Sequence, residues 1–238
     1  MSEIQQRGFL SSELDEQKRL ARSHFAAQFQ TCESWSERAV GMLNQLRLDG
    51  KAAAFLFAAG FWIRCVRSCQ GGILLAEMGM VPDALTLARS AVESLFHAVA
   101  LVKKPELLPR LVEQDQLEQV KQANGMLAIP TITAHLTPEG RQEIQAMIDA
   151  KPEKLRSFGA YDAAREAGLL ELYETMYRGF SRSGAHSTLF ALNHEFVEEA
   201  DGSITPNFGP CYDEVPWVLE MLGECMKIGL SQLSVELT

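Results

Sequence analysis

The run AAAFLFAAGFWI, residues 52–63, decides the fold of this chain. It holds twelve residues without a polar side chain and lies between Lys51 and Arg64. A helix that crosses a membrane needs about twenty such residues, so we expect no membrane span and no membrane partner. A helix without a polar face is typical of the interior of a bundle. The sequence therefore predicts a buried central helix from about Lys51 to Glu77.

Helical signals continue on both sides of this run. Apolar residues recur at helical spacing, and the alternation that marks strands is almost absent. We predict an all-α fold, a helical bundle with a long buried central helix and a small helical excursion near residues 138–150. Residues 1–50 are predicted as an N-terminal helical extension that packs on the bundle, and residues 51–238 as the bundle domain. Further helices are expected at 12–47, 83–102, 106–124, 159–182, 189–197 and 213–237, with a loop at 126–137.

Glycine, proline and threonine mark the predicted helix ends. Pro82 suits the first turn of a helix, where its missing N–H costs nothing. Thr137 precedes Pro138 and is typical of a helix start. Gly168 is expected to interrupt the predicted helix at 159–182. Gly184 is expected to end a helix in the left-handed conformation. That end would leave the following histidine in a turn.

The chain is acidic, with a formal net charge of -9 at pH 7. From residue 196 to the C-terminus it carries eight carboxylates against the single Lys227, which leaves -2 for everything before. Binding to a phosphate backbone requires clustered Lys and Arg. We therefore expect no DNA partner, and RNA remains possible only at a local basic cluster.

Five cysteines indicate a reducing compartment. Cys32, Cys65, Cys69, Cys211 and Cys225 form no CxxC pair, and no secretory signal precedes them. We expect a cytoplasmic protein. Cys65 and Cys69 stand one helical turn apart and could both contact a metal, but packing is the commoner role of thiols in an apolar helix. The Glu-x-x-His and HExxH patterns are absent, so we predict no metal and no cofactor.

A polar arc follows one face of the predicted helix at 83–102. At helical spacing its members span roughly 140°. An arc of this width either faces water or lines a crevice. Its members are Thr86, Arg89, Ser90, Glu93, Ser94 and His97.

The stretch YRGFSRSGAHST, residues 177–188, repeats the spacing of four. Arg178, Arg182 and His186 stand four apart. If the two helices are neighbours, Glu93 lies among arginines, and buried charges persist only when they are paired. An ion-pair network that only fixes the helix register is the alternative. We predict a polar crevice formed by Arg89, Glu93, Arg182 and His186, with Arg178 and Ser181 as further binding residues and with Arg182 and His186 as the catalytic pair if the site is an enzyme's.

The segment ARSAVE at residues 88–93, with Ser181, His186 and the later Gly209-Pro210, resembles the bacterial domain-of-unknown-function family 5677. The likeness covers roughly residues 54–233. The family's pattern is an arginine and a glutamate on one helix, followed by a serine and a histidine. This family is similar to the HEPN helical proteins, many of which are metal-independent ribonucleases of toxin and phage-defence systems.

The resemblance implies a specific chemistry. A histidine would take the proton of a ribose 2′-hydroxyl while an arginine holds the scissile phosphate, and HEPN sites are built across a dimer, which implies a homodimer. The HEPN motif has about four to six residues between its arginine and histidine, whereas three separate Arg182 from His186 and seven separate Arg178 from it. Two functions therefore stay open: a non-catalytic binding or scaffold module with a polar Arg/Glu/His crevice, and a HEPN-like ribonuclease.

Overall fold

The computed structural model describes residues 3–150 and 157–237. The α-helices are α1 (Glu3–Arg7), α2 (Leu14–His24), α3 (Ala26–Gln45), α4 (Ala53–Glu77), α5 (Val81–Lys103), α6 (Leu108–Ala128), α7 (Pro130–Thr133), α8 (Pro138–Asp149), α9 (Ala160–Ala167), α10 (Leu170–Leu172), α11 (Arg178–Phe180) and α12 (Val215–Leu237). Short 3-10 helices occupy Gly8–Leu10, Pro105–Leu107 and Ala191–His194, and π-helical turns occupy Tyr173–Tyr177 and Ser181–Ala185. Strands β1 (Phe196–Glu198) and β2 (Ile204–Pro206) pair antiparallel.

The bundle is built around α5. Helices α4 and α5 pack along each other and are joined by a tight turn at Gly79, whose φ is 73°. Helix α12 packs against α3, α4 and α5, while α9 and residues 170–185 cover another side of α5. The predicted all-α bundle with a long buried central helix is confirmed.

The helix that is buried most completely is α5 rather than α4. Leu56, Phe57 and Leu74 on the outer face of α4 are 45%, 53% and 56% exposed, because no element covers that face in the part of the chain that the structure describes. Helix α5 is also long and apolar enough, by length and composition, to span a membrane. Its apolar window is 67% buried inside the bundle, which is the pattern of a core helix.

The contact between Trp62 and Gly229 locks α4 onto α12. Trp62 is fully buried, and its ring fills the space that a side chain at position 229 would occupy. Only glycine lets the α12 backbone approach a ring this closely. The indole also joins the core formed by α3, because Phe29, Cys32 and Met42 belong to the same cluster of buried side chains. The boundary near residue 50 between extension and bundle stays a prediction.

Three of the four helix-end predictions are confirmed and one is wrong. Pro82 lies in the first turn of α5. Gly168 ends α9 in the left-handed conformation with a φ of 73°, and Thr137 caps α8 by accepting the Gly140 N–H at 3.1 Å. Gly184, in contrast, is not left-handed. An added Cβ there would lie 2.6 Å from the carbonyl oxygen of Pro82. The glycine serves a close approach of two backbones, which the sequence does not reveal.

The structure also corrects two segment predictions. The predicted loop at 126–137 is largely helical, since α6 continues to Ala128 and Pro130 opens α7 at the first helical position, where proline is favoured. The predicted helix at 189–197 is wrong, because a 3-10 turn there leads into β1. Gly202, with a φ of 81°, allows the turn of a hairpin, and the Glu199 N–H donates to the Ser203 carbonyl at 2.8 Å. The predicted excursion is present, since α8 packs on α6 and buries no residue.

Substituting Gly229→Ala tests the lock between α4 and α12. The added methyl group must displace the buried Trp62 ring, and overpacking of this kind costs about 1–3 kcal/mol. We expect the free energy of unfolding in urea to fall by that amount. Gly60→Ala is the matched control, because Gly60 lies in the same helix as Trp62 with nothing within 4 Å of the added Cβ, and it is expected to gain about 0.5–1 kcal/mol. Equal effects of the two substitutions would contradict the lock.

Candidate functional site

Residues 170–185 form one continuous helical segment with π-helical turns. The N–H of His186 donates to the carbonyl of Ser181 at 3.1 Å, a bond over five residues instead of four. Turns of this type widen a helix and are frequent at functional sites. Gly184 brings the C-terminal end of the segment against the start of α5 at Pro82. The segment therefore lies along α5 with the side chains of Tyr177 and Ser181 directed at that helix.

Arg89 is the centre of the polar contacts between the two elements. Its Nε donates to Ser181 Oγ at 2.9 Å, and its Nη2 donates to Tyr177 Oη at 2.6 Å. Its Nη1 lies 3.3 Å from Glu93 Oε2, one turn further along α5. The guanidinium carbon also lies 4.8 Å from the centre of the Tyr177 ring. Every nitrogen of the guanidinium thus has an intramolecular partner.

The partners of Arg89 are bonded to one another, so the network is closed. Tyr177 Oη donates to Glu93 Oε2 at 3.2 Å, and Ser181 Oγ donates to the Tyr177 carbonyl at 2.7 Å. Burial and the nearby Glu93 charge raise the pKa of Tyr177 to about 12, so its hydroxyl keeps the proton that it donates. The Arg89 and Glu93 side chains are 25% and 35% exposed. A ligand can reach their rim but has to compete with these bonds.

Two other arginines selected from the sequence, Arg182 of the predicted crevice and the further binding residue Arg178, lie outside this network. The guanidinium of Arg182 stacks 4.0 Å from the centre of the Phe190 ring. Arg178 is exposed and forms an ion pair with Glu174 at 3.0 Å on its own helix. Arg89, Glu93 and Ser181 therefore belong to one network. The side chains of Arg178 and Arg182 contact Glu174 and Phe190 instead. Because the π-helical turn at Ser181–Ala185 shifts the helical faces, the spacing of four between Arg182 and His186 no longer keeps these two residues on one side.

His186 lies in a separate cavity of about 500 Å³. Its backbone is extended, with φ -117° and ψ 143°, and it follows directly after the last π-helical turn. The cavity lies between the start of α5, the end of the π-containing segment and the residues on either side of the hairpin. Asp83 and Glu195 line it, and none of its described lining residues is a lysine or an arginine. His186 is exposed, and no guanidinium faces it from the cavity wall.

One residue of the Arg89 network was not selected from the sequence, and one member of the polar arc lies outside that network. Tyr177 stands four residues before Ser181, so helical spacing could have identified it as a neighbour on the same face. His97, the last member of the polar arc, lies in another cavity of about 460 Å³ together with Glu93. Its ring stacks on Phe61 at 5.0 Å, and burial lowers its pKa. The polar arc of α5 thus contributes side chains to two different places, the Arg89 network and the cavity that contains His97.

Comparison with known protein families gives a match that covers α5 and the following segment. The model of a family of unknown function, DUF5677, matches residues 55–204. The chain belongs to the DUF5677 family. The matched region begins in α4, ends at the start of β2 and includes the whole Arg89 network and His186, so the family membership expected from the sequence is confirmed. No curated protein and no solved structure matches this DUF5677 chain.

A Tyr177→Phe substitution tests whether the network holds the segment on α5. It removes one hydroxyl that accepts from Arg89 and donates to Glu93, and hydrogen bonds to charged groups contribute about 1.5–3 kcal/mol. We expect the free energy of unfolding to fall by about 1–2 kcal/mol, the lower figure reflecting partial exposure.

Tyr173→Phe is the matched control for this measurement. Tyr173 stacks on Tyr177 at 5.1 Å, and its hydroxyl has no hydrogen-bond partner within residues 3–150 and 157–237. Loss of this hydroxyl is expected to change stability by less than about 0.5 kcal/mol. Urea unfolding of both variants gives the comparison, and a cost for Tyr173→Phe as large as for Tyr177→Phe would contradict the assignment.

Proposed function

We propose that this DUF5677 chain is a non-catalytic helical module that binds a protein partner. The observation that carries the proposal is the engagement of Arg89. Its three nitrogens contact Ser181, Tyr177 and Glu93, so a phosphate would have to replace a set of charge-assisted bonds that are already made. The network acts as a structural clamp that fixes the segment carrying His186 and the hairpin that follows.

The partner surface that we propose is the region from residue 187 to residue 208. It presents large apolar side chains to solvent, and such groups mark interaction sites more often than chance exposure. We name this region the hairpin surface. Its exposed large apolar members are Leu189, Phe190, Leu192, Phe196, Val197, Ile204 and Phe208, with exposures of 87%, 40%, 48%, 53%, 43%, 70% and 72%.

The β1–β2 hairpin supports this assignment. Phe196 pairs with Pro206 and Glu198 pairs with Ile204, so Phe196 and Ile204 project from the same face of the ribbon. All residues of both strands are exposed. A two-stranded hairpin is marginally stable in water. A partner that covers the shared face of Phe196 and Ile204 would therefore stabilise the hairpin as it binds.

Charge restricts the chemistry of the partner. Within residues 187–208 the chain carries four carboxylates, Glu195, Glu198, Glu199 and Asp201, and no lysine or arginine. A surface that is apolar and acidic attracts a segment that is apolar and basic, and it repels nucleic acid. We propose a basic, partly apolar peptide segment as the partner, and no DNA.

We also propose that the chain forms a homodimer in the cytoplasm. Five unpaired cysteines agree with a reducing compartment. The outer face of α4 offers a second apolar surface away from the hairpin, since Leu56, Phe57 and Ile63 are exposed there. The exposed Gly60 lies between them and would let two such helices come close. A symmetric pair of α4 helices would cover this face.

The alternative is a HEPN-like metal-independent ribonuclease of a toxin or phage-defence system. The exposure of His186 beside an open cavity favours it. An acidic cavity wall and an Arg182 that stacks on Phe190 oppose it, because a scissile phosphate needs a cation within reach.

Incubation with RNA separates the two functions. We expect single-stranded RNA to remain intact with the wild-type chain and with the His186→Ala variant, at protein concentrations where light scattering reports a dimer. The measurement is the fraction of full-length RNA after gel electrophoresis. Cleavage by the wild-type dimer that His186→Ala abolishes would establish the ribonuclease and overturn the proposal. Exchange of His186 is not expected to alter the fold, because the side chain is exposed.

Peptide selection tests the partner surface directly. Peptides selected from a random displayed library on the wild-type chain are expected to be rich in Lys, Arg and apolar residues. Their affinity, measured by fluorescence anisotropy, should fall by roughly tenfold or more, equivalent to about 1.4 kcal/mol, in Phe196→Asp and Ile204→Asp. Leu20→Asp on α2 is the control, because Leu20 is 51% exposed, nearly as much as Phe196, and lies outside both the hairpin surface and the outer face of α4. Acidic selected peptides, or equal losses in the control, would contradict the proposal.

A further inference from the structure

Three cysteine side chains meet in the core at the contact between α4 and α12. Cys65 and Cys69 lie one turn apart on α4, and Cys225 faces them from α12. Their sulfur atoms all lie within 4.8 Å of one another, and Cys65 Sγ is 3.7 Å from Cys225 Sγ. All three residues are buried, with exposures of 0%, 0% and 1%. Sequence spacing brings together only the first two, and the fold supplies the third.

The spacing of the sulfurs matches a three-coordinate ion. Bonds of about 2.3 Å, the length of a zinc–thiolate bond, separate three sulfur ligands by about 3.5–4.0 Å. The pair Cys65–Cys225 already has this separation. The remaining distances, which do not exceed 4.8 Å, need a closure of less than one ångström. Small changes of side-chain rotamer between two packed helices suffice for such a closure.

The donor set at this place ends with these three sulfurs. Among the described residues, the group of mutually close histidine, cysteine and carboxylate ligands at this contact has no fourth member. Structural zinc sites are almost always four-coordinate, so the cluster does not match zinc. Cys32 and Cys211 are not part of the group.

The burial of the three sulfurs also restricts the charge of the ion that they can bind. Arg64, Arg67 and Lys227, the cations nearest in sequence, are exposed, and the core around the sulfurs is apolar. An uncompensated charge in such surroundings costs several kcal/mol or more. Three thiolates on a monovalent ion leave two negative charges, and on a divalent ion they leave one. On a trivalent ion the complex is neutral.

We propose that Cys65, Cys69 and Cys225 form a binding site for a trivalent thiophilic metalloid ion, with arsenic(III) as the representative. The site lies in the core, so it is independent of the hairpin surface and of the proposed partner. Arsenic(III) reaches it as arsenous acid, a small neutral molecule that needs no charged path into the bundle. The bound ion would join α4 to α12 through three bonds to sulfur.

The reaction balances without an oxidant or a reductant. Arsenous acid and three protonated thiols give a tris-thiolate complex and three molecules of water. Three As–O bonds and three S–H bonds break, while three As–S bonds and three O–H bonds form, and arsenic stays trivalent. The reactants and the products are both uncharged, so the completed reaction leaves no net charge in the core. Because the sulfurs are buried, the rate of binding is expected to follow the transient separation of α12 from α4.

The test is retention of arsenic by the folded chain. The reduced protein is incubated with sodium arsenite, passed through a desalting column and analysed for arsenic content and intact native mass. We expect about one arsenic atom per chain with the loss of three hydrogens, and a higher midpoint of urea unfolding, because a ligand of the native state stabilises it. Zinc and copper(I) in parallel samples are expected to be retained less.

Single variants make the test specific. Cys65→Ala, Cys69→Ala and Cys225→Ala should each lower the affinity for arsenic by roughly tenfold or more, with circular dichroism confirming that each remains helical. Cys32→Ala is the matched control, because Cys32 is equally buried and lies outside the cluster, and it should retain arsenic. The proposal is overturned if Cys32→Ala loses as much arsenic as Cys225→Ala, if zinc is retained more tightly, or if the urea-unfolded chain binds arsenic as tightly as the folded one.

Discussion

The packing of neighbouring elements around α5 is the constraint on which the other features of the molecule depend. A helix covered by α4, α9, α12 and residues 170–185 can carry Arg89 and Glu93 only if its neighbours supply partners. Tyr177 and Ser181 are these partners, and they reach the guanidinium at 2.6 and 2.9 Å. The close approach of Gly184 to the start of α5 holds the same segment at its other end. The polar network and the packing of the core are therefore one structure.

The packing around α5 also determines which side chains a ligand can contact. The Arg89 guanidinium is engaged, and residues 187–208 are rich in exposed apolar side chains and carry carboxylates without lysine or arginine. A histidine beside an acidic cavity has little attraction for a phosphate, whereas exposed phenylalanine and isoleucine side chains on a thin hairpin are suited to a protein surface. The cluster of Cys65, Cys69 and Cys225 is a third and separate feature, because it lies where α12 packs on α4. Family membership in DUF5677 covers the network but ends before α12 begins.

Local rules predicted the parts of the structure that local physics determines. The buried helices, the Thr137 cap and the helix break at Gly168 each depend on residues within one or two turns. The hairpin was missed because strands of three residues give no alternation to detect. The close contact of Gly184 and the meeting of Cys225 with Cys65 depend on distant parts of the chain, so no pattern within one helix encodes them. Arg182 and His186 leave the expected face because π-helical turns change the residue count per turn.

The central claim, that the Arg89 guanidinium is held by intramolecular partners and is not offered to phosphate, is tested most directly by heteronuclear NMR of its N–H groups. The signals are assigned by comparison with the Arg89→Lys variant and followed while single-stranded RNA or inorganic phosphate is added. We expect separate guanidinium resonances whose N–H protons exchange slowly with water and whose chemical shifts stay unchanged during either titration. Averaged, rapidly exchanging resonances, or a shift that saturates with RNA, would contradict it.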